Sequence, residues 1–285
     1  MKISIITVCY NAQKTIERTL LSVFSQTYSA KEFVVIDGGS SDGTLEILKK
    51  YADKIDVLVS EPDKGIYDAM NKGVAKSSGD YLIFINSDDY FYDESVLERV
   101  AQAQRADFIF GDQYDEEDGR RELAQNLDAL DVYHMFRGHF AHQSILAKRE
   151  LFQKYGSFDL SYKICADWDW ILRCLVNGAT TTRVNTPIAV FTVGGASRIA
   201  GKKGLLSRER KQLIRKNLGS LPVENALMKT EKLFRNLLRK TGLDKNIDSL
   251  IRAKLLKKFP PKNLPSSRRT RDSGFISFFR ISDRL

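Results

Sequence analysis

The sequence predicts an α/β fold, a mostly parallel, Rossmann-like sheet flanked by helices and followed by a basic, helical C-terminal extension. Three observations carry this. Short β-rich apolar runs alternate with stretches of helical apolar spacing. Acidic residues collect just after those runs, at the strand ends where loops of such sheets hold ligands. The charge also changes sign along the chain: residues 201–285 carry 23 Lys and Arg against 7 Asp and Glu, a net of +16, whereas residues 1–200 carry 22 against 29, a net of −7.

Residues 3–8 form the first apolar run, a strand. After Asn11 the positions Ile16, Leu20, Val23 and Phe24 recur at helical spacing, with Asn11 or Thr15 available to start the helix. Residues 33–36 make a second strand ending in Asp37, Gly38 and Gly39, and Asp42 can cap a helix carrying Leu45, Ile47 and Leu48. Residues 57–59 give a third strand and 66–74 a helix that ends near Ser78 and Gly79. Residues 81–85 are apolar throughout, as in a strand buried on both faces. Further on, the pattern predicts a helix over 95–104, a strand over 108–110, an acidic turn over 115–119, a helix over 167–176 ended by Gly178, and a last strand over 188–193.

At 285 residues, 42% hydrophobic and 28% charged, the chain can bury the core of one domain of about 200 residues and still carry an appendage. The boundary is placed at residue 200, giving units 1–200 and 201–285. No run approaches the roughly 18 apolar residues of a membrane-spanning helix. The apolar start runs into Tyr10 and Asn11 without a small-residue cleavage site, so a cytoplasmic location is expected. Cys9, Cys165 and Cys174 are odd in number and lack paired spacing, which indicates neither a disulfide framework nor a zinc site, and they read as core residues.

Two loops can carry chemistry. In Asp37-Gly38-Gly39-Ser40-Ser41-Asp42-Gly43-Thr44 the glycines let the backbone turn sharply and approach a ligand, ahead of a helix N-terminus that favours anions. The spacing is not GxGxxG, so it is no dinucleotide fingerprint, and a plain strand-to-helix turn is the simpler alternative for the loop alone. Asn86-Ser87-Asp88-Asp89 follows a buried strand. Carboxylates there can ligate a hard divalent cation that keeps positions open for diphosphate oxygens, although paired acids also occur at ordinary turns.

Taken in order, Thr7-Val8-Cys9-Tyr10-Asn11, Ser22-Val23-Phe24-Ser25-Gln26-Thr27-Tyr28, the 37–44 loop, the segment 61–73 and Asn86-Ser87-Asp88-Asp89 resemble the family 2 glycosyltransferases in identity, order and spacing. The resemblance covers about residues 3–200, is strongest over the first 90 and leaves the tail out. It implies a GT-A fold and an inverting, metal-dependent transfer from a nucleoside diphosphate sugar to an acceptor hydroxyl, in surface polysaccharide or glycolipid assembly. UDP is implied through Asp37, which matches the family's uracil-contacting acid. Thr7 and Tyr10 are implied to line the nucleotide pocket, Asp63 and Ser87 to contact the donor, and Asp88, with Asp89 beside it, to ligate Mn2+ or Mg2+. Asn86 stands where many members carry Asp.

In Ala166-Asp167-Trp168-Asp169-Trp170 the resemblance implies that Asp167 is the catalytic base, with Ala166 in place of the family's usual Glu and Asp169 as the alternate. An inverting transfer needs such a carboxylate within hydrogen-bond reach of the acceptor hydroxyl. A helix N-cap is the plainer alternative for Asp167, but one residue can both cap and react, which favours the catalytic role. His142, in Phe140-Ala141-His142-Gln143-Ser144, resembles the acceptor side, and Trp168 can stack on a sugar or belong to the core. Arg198, in Gly194-Gly195-Ala196-Ser197-Arg198, resembles a closing loop that meets the pyrophosphate. His134 and His139 show no metal spacing.

In the tail, Leu205, Leu206, Leu213, Ile214 and Leu218, then Leu233, Leu237, Leu238, Ile251, Leu255 and Leu256, stand among Lys and Arg and predict amphipathic helices with basic faces. These can lie on an anionic membrane near a lipid-linked acceptor, or cap the catalytic domain, and both readings stay open. The acidic body and the lack of a recognised motif argue against nucleic acid. From about Pro260 the composition predicts loose order. A sugar-phosphate nucleotidylyltransferase is disfavoured, because its Gly- and Arg-rich N-terminal loop is missing. A catalytically inactive nucleotide-sugar-binding module is the alternative that Asn86 and Ala166 suggest.

Overall fold

Each early apolar run becomes a strand. The computed structural model describes residues 1–125, 129–137, 141–194, 204–219 and 243–260. Its first half alternates β1 (Ile3–Cys9), α1 (Ile16–Phe24), β2 (Lys31–Asp37), α2 (Thr44–Lys50), β3 (Val57–Ser60), α3 (Ile66–Lys76) and β4 (Tyr81–Phe84). The second half contains β5 (Tyr90–Phe91), α4 (Val96–Ala101), β6 (Phe108–Glu117), β7 (Arg120–Gln125), α5 (Val132–Arg137), β8 (Ile145–Lys148), α6 (Glu150–Tyr155), α7 (Ala166–Val176) and β9 (Thr181–Thr192). Helices α8 (Leu205–Leu218) and α9 (Leu243–Lys258) follow.

The strands form one sheet in the order β3-β2-β1-β4-β8-β6-β9-β5, with β7 paired to β6. Strands β3, β2, β1 and β4 are parallel, as expected, whereas β8 runs antiparallel between β4 and β6. The sheet is therefore mixed in its second half. Every side chain of β1 is buried, and alternate residues feed two cores. Ile6 and Val8 join α3 and α7 on one face, while Ile3 and Ile5 join α1 and α4 on the other. That two-sided burial is why β1 reads as a continuous apolar run.

Register places the chemistry. Cys9 lies opposite Asp37, and Asp37 opposite Ser60, so the carboxyl ends of β1, β2 and β3 are level.

Several expectations change. The acidic stretch 115–119 is not all turn: β6 continues to Glu117, and only Asp118 and Gly119, both at positive φ, reverse the chain into β7. Thr15 stands at the N-cap position of α1, as one of the two expected starts, but its side chain makes no capping hydrogen bond. Asn11 sits at φ 49 and its side chain instead accepts the Ser41 N–H at 2.9 Å. Helix α7 ends as foreseen, with Gly178 at φ 82, a conformation that favours glycine at this exit.

The start of the tail is a helical cap. Leu213, Ile214 and Leu218 of α8 are each 1% exposed and belong to the core that contains Ala166 and Trp170. Leu255 of α9 joins the same core. Among the described residues no helix is long and apolar enough to cross a membrane. The three cysteines are free and buried, and burial pushes all three thiols up. Leu233, Leu237, Leu238 and the segment beyond Pro260 lie outside the described residues.

Candidate active site

The donor-side loop is organised around Asp37, which ends β2 and is fully enclosed. Its carboxylate accepts the Ser40 hydroxyl, the Ser40 N–H at 3.1 Å and the Ser60 hydroxyl at 2.6 Å. Burial is the largest single influence and pushes this carboxyl up. The bonds from Ser40 and Ser60 outweigh it and hold the group below the usual carboxylate range. Gly38 follows because the space beside it is taken: a Cβ there would run into the Asp63 carboxylate, with the Tyr10 ring 3.5 Å away on another side. Asp63 in turn accepts the Gly65 N–H at 2.7 Å. Tyr10, 64% exposed, leaves an aromatic face open beside this loop. Asp42 accepts the Thr44 N–H at 2.9 Å, just ahead of α2.

Two expected site residues are placed differently, Thr7 of the nucleotide pocket and Asp89 of the metal site. Thr7 is wholly buried, and its hydroxyl donates to the Ile85 carbonyl at 2.7 Å, so it ties β1 to the end of β4 rather than facing a pocket. Asp89 is also wholly buried, accepting Gln143 Nε2 at 2.8 Å and the Thr192 N–H at 3.2 Å. Burial, reinforced by the adjacent Asp88, pushes its carboxyl up. Asp89 therefore fastens the 86–89 loop to its neighbours, and the expectation that it shares a metal with Asp88 is corrected.

Asp88 and Asn86 have what Asp89 lacks. The Asp88 side chain is half-buried, accepts no hydrogen bond from another described residue, and burial raises its carboxyl. Its backbone carbonyl is held by Arg18 Nη2 at 3.1 Å and by the Thr192 hydroxyl. Asn86 Oδ1 is buried without a hydrogen-bond partner among the described residues, while Asn86 Nδ2 donates to His142 Nε2 at 3.1 Å. With Nε2 accepting, the neutral imidazole carries its hydrogen on Nδ1, which donates to Asp167 Oδ2 at 3.2 Å. The other Asp167 oxygen accepts the Tyr67 hydroxyl at 2.8 Å. Burial, and then the Asp167 charge, raise the Tyr67 phenol well above its ordinary value, so it remains a donor.

Thus three segments far apart in sequence meet: the loop after β4, the His142-Gln143 turn before β8, and the start of α7. Asp167 is the second residue of α7, not its cap, and keeps about a tenth of its side-chain surface exposed. A small cavity lined by Phe84, Phe158 and Trp170 lies against it and His142. Asp169, the alternate base, is excluded by enclosure: Arg173, Lys216 and Asn217 all donate to it. Trp170 is core, stacked on Phe152 at 3.9 Å. Trp168 is half-buried beneath the Arg210 guanidinium, 5.3 Å from its ring centre. Ser87 is half-buried on its loop, and His134 pairs with Asp131 at 2.8 Å. Arg198 and His139 lie outside the described residues. Sequence reasoning missed Tyr67, Gln143, Ser40 and Ser60 as site residues, although all but Ser60 stand inside motifs it had singled out.

Parallel strands with a glycine loop at their carboxyl ends, facing a carboxylate at the head of a later helix, define a glycosyltransferase of the GT-A fold. The chain belongs to Glycosyl transferase family 2, whose sequence profile matches residues 4–164. It is 34% identical over 215 residues to a PGL/p-HBAD biosynthesis glycosyltransferase of Mycobacterium tuberculosis, covering 72% of this chain and 82% of that relative. Its fold is similar to that of Staphylococcus aureus TarS 1-349 in complex with UDP-GlcNAc, with a TM-score of 0.61, 18% identity and coverage of 83% and 78%. It also resembles the mannosyltransferase PcManGT from Pyrobaculum calidifontis in complex with GDP-Man and Mn2+, with a TM-score of 0.56, 16% identity and coverage of 90% and 84%.

Proposed function

We propose that this glycosyltransferase is inverting and divalent-metal-dependent, and moves a sugar from a UDP-sugar to a hydroxyl of a glycan or lipid-linked acceptor. The observation that carries the reading is the hydrogen-bonded path Asn86–His142–Asp167–Tyr67, which joins the loop after β4 to a carboxylate with an open edge. Solved neighbours holding UDP-GlcNAc or GDP-Man support a nucleotide-sugar donor. In this reading the uracil lies beside Tyr10, and its N3–H replaces the Ser40 hydroxyl on Asp37, since a hydroxyl rotor is easily exchanged.

The donor set fits a hard cation. Among the described residues no three His, Cys, Asp or Glu side chains form a metal cluster. The orphaned Asn86 Oδ1 and the Asp88 carboxylate are nevertheless two oxygen donors, and Mg2+ or Mn2+ sites of this kind take their remaining ligands from water and diphosphate. Asn86 and Asp88 would hold the ion, which supplies neutralisation of the charge on the departing diphosphate.

Asp167, oriented by Tyr67 and His142, accepts the acceptor's hydroxyl proton as that oxygen attacks the anomeric carbon. The bond to the diphosphate breaks with its electron pair on UDP. Attack opposite the leaving group inverts the configuration. At the surface, Lys254 and Lys257 of α9 are exposed, which supports peripheral contact with anionic lipid on the inner membrane face.

The test is UDP release from a panel of UDP-sugars with Mn2+. We expect release in the wild type, its abolition by EDTA, and a loss of about 100-fold or more in Asp88→Ala and in Asp167→Asn. Release unaffected by EDTA and by Asp88→Ala would sink the metal assignment, and wild-type turnover in Asp167→Asn would sink the base. Equal flotation with neutral and anionic liposomes would remove the membrane contact.

A further inference from the structure

The base-bearing end of α7 is held from beyond the family-matched segment. Glu209, in the second turn of α8, is only 5% exposed. Its carboxylate accepts three consecutive backbone amides: Lys163 N–H at 2.7 Å on one oxygen, then Ile164 at 3.0 Å and Cys165 at 3.1 Å on the other. These residues immediately precede α7, two positions short of Asp167. Three peptide N–H groups converging on one anion form a nest, and they offset the cost of burying its charge.

A second contact reinforces the first. Asp169, also on α7, binds Lys216 and Asn217 of α8. Leu213, Ile214 and Leu218 seat α8 on the core. A buried carboxylate adds no apolar attraction. What it adds is direction, because its acceptor geometry fixes where the 163–165 backbone lies and hence the rotation and height of the first turn of α7.

We infer that Glu209 is a positioning residue for sugar transfer, which clamps the 163–165 backbone so that the Asp167 carboxylate meets Tyr67, His142 and the acceptor hydroxyl together. This rests on Asp167 being the base. It makes α8 part of the active site, although it lies in a segment whose composition reads as a basic tail.

The experiment uses the full chain as wild type, Glu209→Ala, Glu209→Gln and Asp167→Asn. Calorimetric titration with UDP and Mn2+ counts folded donor sites, and UDP release from the sugar nucleotide chosen in the donor panel gives kcat per site and donor KM. Glu209→Ala is expected to lose about 100-fold in kcat per site, the scale of a misplaced catalytic group, with KM and UDP affinity within about twofold. Glu209→Gln retains one carbonyl acceptor for the amides, so its loss is expected to be about tenfold. Unchanged kcat per site in either variant, or a parallel collapse of kcat and UDP affinity, overturns the proposal. If Glu209→Ala yields no folded sites, Glu209→Gln decides by the same criterion. Wild-type turnover in Asp167→Asn overturns the base itself, an outcome distinct from failure of the clamp.

Discussion

Asp37 shows how one residue can organise a loop. Its oxygens are taken up by Ser40 and Ser60, so the free loop is already closed around the carboxylate and its charge is stabilised before a nucleotide arrives. Asp37→Asn keeps the shape but replaces one acceptor oxygen with an N–H donor, which faces either a serine hydroxyl or the base N–H. Hydrogen bonds to charged groups contribute about 1.5–3 kcal/mol, so UDP affinity is expected to fall about tenfold to a hundredfold. The melting temperature is expected to fall as well, because the bonds that hold this carboxyl below its usual range also stabilise the folded loop. Titration calorimetry with UDP checks this. Unaltered affinity would show that Asp37 only shapes the loop.

At the scale of elements, the pairing of α7 with α8 joins the helix that carries Asp167 to the first helix of the tail through Asp169. Asp169 is fully enclosed among Arg173, Lys216 and Asn217. Arg173 and Lys216 keep 24% and 42% of their side chains exposed and hold other acceptors, the Tyr155 and Ser157 carbonyls and the Asp159 carboxylate, so the charges that Asp169→Ala leaves behind stay solvated. The expected cost is that of lost hydrogen bonds to a charged group, about 1–3 kcal/mol. For a domain of this size that is a fall of about 2–12 °C in melting temperature, measurable by calorimetry. Much of this element-level architecture was legible. The runs at β1, β2 and β4 are apolar because both faces are buried, and the Leu213, Ile214 and Leu218 spacing announced a helix.

What escaped has physical reasons. Strand β8 has four residues and no turn signal to set it off, and the far end of β6 is Asp-Glu-Glu, where Glu116 is held by Arg18, Arg121 and the Tyr90 hydroxyl, partners that come from elsewhere in the chain. The site divides in the same way. Asp37, Asp88, His142 and Asp167 could be found because each sits in a motif. Glu209 could not, since its role exists only once α8 has packed against the backbone of 163–165.

Across the whole molecule, the parallel half of the sheet separates chemistry from anchoring. The carboxyl strand ends carry Asp37 and the 86–89 loop, while the amino ends are tied together by Glu32. That carboxylate, 7% exposed, accepts the Ser4 hydroxyl from β1, the Ser78 N–H at 2.8 Å and hydroxyl at 2.6 Å from the turn before β4, and Lys2 Nζ at 3.0 Å. Burial is the largest influence and pushes its carboxyl up, but the combined bonds from Ser4, Ser78 and Lys2 hold it down at about 2, against 4.5 for an unconstrained Glu. Because the folded state binds this proton more weakly than the unfolded state, the stabilisation is complete above about pH 4.5 and is lost as pH falls towards 2. The full effect is roughly 3 kcal/mol, declining by about 1.4 kcal/mol per pH unit within that window. Glu32→Gln removes the titration and lies at the end of the sheet remote from Asp167. Its urea midpoint should therefore trail the wild type by most at neutral pH and converge on it as the solution is acidified from pH 5 to 3, while kcat at pH 7 stays unchanged. Stability curves that remain parallel across that range would show that the Glu32 network contributes nothing through its charge, and a fall in kcat would show that the two ends of the sheet are coupled.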